Sequence, residues 1–215
     1  HAIVCRLWKG MVIHMDIKEL TKVLGSSITS SRYKYIPWWD GDFDEDRYRY
    51  NLFSAQEIQD AEACIAECGK EELEDTSGSW GMSLFHLLVW HNFYDGVKKI
   101  LEEGRADVNL ADGKGKGLTP FLLACCRSNL AMVKLLLEHG ADGAACDAGG
   151  RNGYHYLGHP YIEGFQNGYE CKRYSMGQRV SIASLLAEGI NAKDTEGFTP
   201  LALMLQDRNA SCSHV

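Results

Sequence analysis

Three segments of this chain repeat one template: GMSLFHLLVWHNFYDGVKKILEEGRADVNL from Gly81, GLTPFLLACCRSNLAMVKLLLEHGADGAA from Gly117, and GFTPLALML from Gly197. Self-similarity at this scale confines the chain to architectures in which small units stack, because a unit of about 30 residues cannot bury its own apolar face. Leu122 and His155 hold the same template position and lie 33 residues apart. From His86 to Leu122 the separation is 36. Arg105 adds one residue to the exit of the first unit, and the glycine-rich turn DGKGKG at 112–117 adds two more. From His155 to Ala202 it is 47, which an insertion of about 16 residues between Gly158 and Gln178, less two residues after Gly189, explains. Four units follow, at roughly 78–110, 111–146, 147–193 and 194 to the end.

Within a unit the local signals are those of a helix pair. Pro120 and Pro200 stand at a first helical turn, where the missing N–H costs nothing and the fixed φ suits the helix. Val133 with Leu135, Leu136 and Leu137 forms an apolar stripe, and Gly140 ends that helix where a left-handed residue is needed. The last unit gives one helix over Thr199 to Gln206 and then turns polar, which reads as a truncated C-terminal cap. Upstream, Ser54 with Glu57 makes a capping-box pattern ahead of AQEIQDAEACIAECG, so a capping helix is expected at about 54–68. A further short helix is expected over 16–25, ending at Gly25.

The unit from Gly117 resembles the ankyrin repeat: Thr119 and Pro120 match its T-P-L-H opening, Leu135 to Leu137 its second helix, and Gly140, Ala141 and Asp142 its exit. The resemblance covers about 78–206, and 33 residues is the family's period. It implies an all-α fold, an ankyrin-repeat helical solenoid of about four repeats with an N-terminal helical and aromatic capping region. The expected division is an N-terminal region, 1–77, and an ankyrin-repeat domain, 78–215, with an insertion at about 159–178. His86 and His155 fill the position where the family's imidazole ties adjacent turns, so structural use is expected of both. Cys125 falls where the family usually has Ala, and a buried, reduced thiol is expected there. The first 77 residues match no family; eight aromatic residues between 30 and 53 are too apolar to leave in water and are expected to shield the first repeat.

In an ankyrin stack the partner usually meets the turn tips and the exposed face of each first helix. The resemblance therefore nominates Trp90 and His91 in the first unit, Cys126 and Arg127 in the second, and Gln206 and Asp207 in the last. Packing of Trp90 against the N-terminal aromatic segment is the alternative for that side chain. Turn-tip candidates are Lys114, Lys116 and Leu118, then Arg151, then Glu196 and Phe198, with Lys114 and Lys116 forming a flexible basic finger among glycines. Tyr161, Phe165, Tyr169, Arg173 and Tyr174 of the insertion could extend the surface. The implied function is noncovalent binding of a partner protein through the concave surface, in an effector, immunity, inhibitor or scaffold role that the residues do not choose among.

Composition limits the rivals. A net charge of -7 opposes nonspecific binding to nucleic acid or an anionic membrane, since both require a cationic field. No run approaches the roughly 18 apolar residues of a membrane span, and Arg6 and Lys9 interrupt the opening residues too early for a signal sequence. A cytoplasmic protein, monomeric apart from its partner, is expected. Residues 1–14, ahead of Met15, read as an upstream extension or a processed end. The eight cysteines form no CxxC pair and read as mostly buried thiols. Cys64 with Cys68, and His155 with His159, have i, i+4 spacing but lack further ligands at diagnostic spacing, so neither metal nor cofactor is expected. GKGKG lacks the P-loop pattern, and no nucleophile with an identifiable base occurs, so the chain reads as a non-enzyme. The alternative is an enzyme with catalytic residues in the N-terminal region and the repeats as its targeting module.

Overall fold

The computed structural model describes residues 4–8, 11–15, 20–22, 24, 55–78, 81–158, 176–186 and 188–211. From Ala55 onward every regular element among them is a helix, as an all-α fold requires. The aromatic segment at 30–53 and most of the insertion, with Tyr161, Phe165, Tyr169, Arg173 and Tyr174, lie outside the described residues, as do the side chains of Gln206 and Asp207.

The chain packs into two compact units, residues 1–107 and 108–215. The first opens with an element the sequence reading lacks: strands β1 (Val4–Trp8) and β2 (Met11–Met15) pair antiparallel, from Val4 opposite Met15 to Trp8 opposite Met11. Leu20 and Leu24 are helical and buried. Four helices follow: α1 (Ala55–Glu67), α2 (Lys70–Glu74), α3 (Leu84–Trp90) and α4 (Tyr94–Glu102). α1 packs on α4 and β1, and α2 on α3.

α3 and α4 form the first helix pair. Ser83 caps α3 by accepting from the His86 amide, and a three-residue turn joins the two helices. α3 is apolar all round except for His86, and every one of its residues is buried. Such a helix is stable only when other elements cover each of its faces. The extra residue of this unit, Arg105, has a definite place. Its Nη1 donates to the Ile65 and Cys68 carbonyls at 2.9 and 2.8 Å, and its Nε meets Glu103 at 2.6 Å. A guanidinium at the carbonyl end of α1 satisfies acceptors the helix cannot satisfy itself and opposes the negative end of its dipole.

The second unit holds α5 (Pro120–Cys126), α6 (Leu130–Glu138), α7 (Gly153–Gly158), α8 (Met176–Leu185) and α9 (Pro200–Ser211). α5 packs on α6 and on α7, α7 on α9, and α8 on both α6 and α7, so first helices stack on first helices and second on second. Thr119 caps α5 with Pro120 just inside it, and Asn129 caps α6 by accepting from the Met132 amide at 3.0 Å. The turns between paired helices put Asn92 and Ser128 at φ of 56° and 52°, left-handed positions at the same place in successive repeats. Cys125 and Cys126 are fully buried in α5, and burial pushes the Cys125 thiol far above its usual pKa. α9 departs from a water-facing cap: Leu201 and Leu205, one helical turn apart, are 61% and 52% exposed.

Candidate functional site

Each repeat of the second unit begins with a tight turn built on an aspartate. Asp112 accepts from the amides of Lys114 and Lys116 at its Oδ2 and of Leu118 at its Oδ1, over 2.9 to 3.3 Å. Asp147 Oδ1 accepts from the Arg151 amide at 2.8 Å, and Asp194 Oδ1 from the Glu196 and Phe198 amides at 3.0 and 2.8 Å. A backbone rung closes each turn: Asp112 to Leu118, Asp147 to Arg151 and Asp194 to Phe198, with the aspartate amide donating each time. The finger at 112–117 is thus pinned at three amides by one carboxylate. It is an ordered turn and not the flexible one its glycines suggest.

Neighbouring turns are also tied to each other. The Ala148 amide donates to the Lys116 carbonyl at 2.7 Å, and the Thr195 amide to the Gly149 carbonyl at 2.8 Å. Gly117 is required where the first of these ties is made. Its φ is +70°, and a Cβ there would stand 2.9 Å from the Ala148 nitrogen. The imidazoles complete the framework. His86 Nδ1 lies 2.8 Å from Ser83 Oγ, and His155 Nδ1 lies 2.7 Å from Asn152 Oδ1 while its Nε2 reaches the Phe198 carbonyl at 3.2 Å. His155 therefore links the opening of α7 to the turn before α9, which is the structural use the resemblance implied. Tyr156 donates to Asp147 Oδ2 at 2.6 Å; burial first, and this bond to a carboxylate second, push its phenol well above the ordinary pKa.

This framework decides which nominated side chains face water. Lys114 is exposed, and Lys116, Arg151 and Phe198 are half-buried. Asp112 and Asp194 are buried at the turn bases, so their charge is directed at main-chain amides and the outward charges at the tips are Lys114, Lys116, Arg151, Lys193 and Glu196. Arg151 Nε lies 3.6 Å from Asp194 Oδ2, so this half-buried guanidinium also faces a buried carboxylate.

Five nominated residues are buried, contrary to the exposed positions the template assigns them: Trp90, for which packing was the alternative, His91, Leu118, Cys126 and Arg127. The reasons are local. Trp90 ends a helix buried on every face, and His91 Nε2 lies 3.0 Å from the Leu24 carbonyl, so the N-terminal segment covers that position. Leu118 is pulled under its turn by the Asp112 carboxylate, and Arg127 caps the wholly buried α5. Cys126 is buried with the rest of α5. Sequence reading passed over Asp112, Asp147 and Asp194, though the signal was present: each stands five or seven residues ahead of the helix cap Thr119, Asn152 or Thr199.

Comparison with known proteins accords with this geometry. The family described as ankyrin repeats, in three copies, matches residues 84–162. Similar proteins include ankyrin repeat domain-containing protein 13B of Homo sapiens, 37% identical over 65 residues, which are 30% of this chain and 10% of that protein. The Caenorhabditis elegans ankyrin repeat and LEM domain-containing protein 1 homolog is 43% identical over 60 residues, 28% of this chain and 8% of its own length. The transient receptor potential channel pyrexia of Drosophila melanogaster is 45% identical over 49 residues, 23% of this chain and 5% of that protein. The matched stretch is thus a tenth or less of each relative's length. Capped helix pairs and aspartate-based turns occur together with this match, and residues 84–162 of the chain carry ankyrin repeats.

Proposed function

We propose that this chain is a noncatalytic recognition module that binds a partner protein through the turn tips of its second unit, at Lys114, Lys116, Arg151 and Phe198, on the edge of the concave face. Ankyrin repeats generally serve protein–protein interaction, and the relatives named above share stretches of 49 to 65 residues with this chain. The observation that carries the reading is the inward turn of the tip aspartates. In a chain of net charge -7, it leaves a local row of cationic side chains on a hydrogen-bonded frame. A fixed row of charges selects a partner by complementarity and speeds encounter with it. The partner surface that fits is acidic, with an apolar group to set against Phe198.

Among the described residues no helix is long and apolar enough to cross a membrane. The test is capture of binding proteins by the full chain and by its Lys114→Glu/Lys116→Glu variant. A protein retained by the former and lost by the latter, with circular dichroism unchanged, supports the reading. Equal retention of every captured protein by both overturns it.

A further inference from the structure

Among the described residues the large apolar side chains left exposed are Val180, Leu185, Ile190, Leu201 and Leu205, and all of them fall near the C-terminal end of the second unit. Helical spacing gathers four of them on two faces. On α8 the exposed positions are Gly177, Val180, Ser181, Ser184 and Leu185, an i, i+3, i+4, i+7, i+8 stripe opposite the buried Ile182 and Leu186. Pro200 and Met204 of α9 meet α7 at Gly158, where a Cβ would stand 3.0 Å from the Pro200 carbonyl oxygen and 3.7 Å from the Met204 Cβ. Leu201 and Leu205 each follow one of these by a single residue, about 100° further round the helix, and so are turned away from α7.

An earlier repeat shows what such a face receives. Counted from the capping threonines Thr119 and Thr199, Leu201 and Leu205 stand where Phe121 and Cys125 stand in α5. Phe121 and Cys125 are fully buried, in a repeat whose second helix, α6, packs on its first. α8 packs on α6 in turn, second helix on second. Among the described residues no second helix accompanies α9, and the bare faces of α8 and α9 mark the slot that one would fill. The occupant that continues this stack is an amphipathic helix.

α9 itself suits the slot of a second copy. It has twelve residues against seven in the first helix α5, and the second helices α6 and α8 need only nine and ten. Leu201 and Leu205, one turn apart, present the same pair to an antiparallel copy as they receive from it. None of the exposed positions named on α8 and α9 is charged. Two chains of net charge -7 therefore meet there without setting like charges against each other.

We propose that two copies of this chain pair through this end face about a twofold axis, α9 of each lying in the second-helix slot of the other against Val180, Leu185, Leu201 and Leu205. One patch serves both copies, so the pairing closes at two. Lys114 and Lys116 take no part in it, and the pairing is tested apart from the reading of the turn tips.

The experiment is sedimentation equilibrium of the full chain over a range of micromolar concentrations, with reductant present so that the exposed Cys146 cannot link copies. The wild type is expected to approach twice its mass of 24.0 kDa, and Leu201→Glu/Leu205→Glu to stay at 24.0 kDa with its thermal unfolding unchanged. Val180→Glu, on the other helix of the face, should weaken pairing by about tenfold or more. Lys134→Glu, at an exposed position of α6, should pair as the wild type does. If Leu201→Glu/Leu205→Glu fails to fold, Val180→Glu decides. A wild type that remains at 24.0 kDa throughout overturns the proposal, whatever else covers the face. Pairing of equal strength in the wild type and Val180→Glu overturns it as well.

Discussion

At the scale of single residues, the turns between paired helices hold strain that a substitution can release. Ser128 sits at φ 52° with its side chain fully buried and its Oγ without a hydrogen-bond partner. A left-handed conformation costs a non-glycine residue roughly 1–2 kcal/mol, so Ser128→Gly is expected to raise stability by about 1 kcal/mol in urea melts despite the added freedom of the unfolded chain. Gly117→Ala should do the reverse and cost about 2 kcal/mol or more, because it adds both a strained φ and a collision with the Ala148 nitrogen. Tyr156 gives a pH signature. Its folded phenol is held above the unfolded value of about 10. Its contribution to stability is therefore complete below that pH and is lost as the pH rises past it. Urea midpoints should fall as the pH rises above about 10, and those of Tyr156→Phe should fall less. Residue-level meaning was only partly legible in the sequence. His86 and His155 could be read because one template position fixes their partners. The aspartates could not be read as turn bases without the amides they hold.

The elements were more legible than the residues, because a helix pair announces itself by its caps and stripes. α5, α6 and α9 start at or beside the Thr, Pro and Asn signals that mark helix beginnings. The β1–β2 hairpin was missed for a physical reason. Its apolar and polar residues alternate only weakly, so the strand period carries little signal. For Trp90 the template leaves exposure and packing both open, because it identifies the faces of a repeat but not what the rest of the chain lays over them, and the side chain is buried. Arg105 is the best probe at this scale. It joins the exit of the first repeat to the end of α1 through two charge-assisted bonds to carbonyls. Arg105→Ala is expected to destabilise the first unit by about 2–3 kcal/mol. Hydrogen exchange should then rise in α1 and α4 before it rises in α5 and α6, and equal acceleration in all four would show that Arg105 does not act locally.

At the scale of the whole molecule, the chain is acidic in sum, while Lys114 and Lys116 stand on one turn whose aspartate is buried. The sum could be read from composition, but that placement required the fold, which turns Asp112 and Asp194 inward and leaves Lys114 and Lys116 outward. The binding account stands on that local reversal of charge. Isothermal titration of a captured partner against the full chain and its Lys114→Glu/Lys116→Glu variant, each at low and at physiological salt, tests it most directly. The account predicts that the charge reversal weakens binding by about tenfold or more at low salt, that wild-type affinity falls as salt rises, and that the variant loses most of that salt dependence. Equal affinity of the two chains, with the same salt dependence, would contradict it.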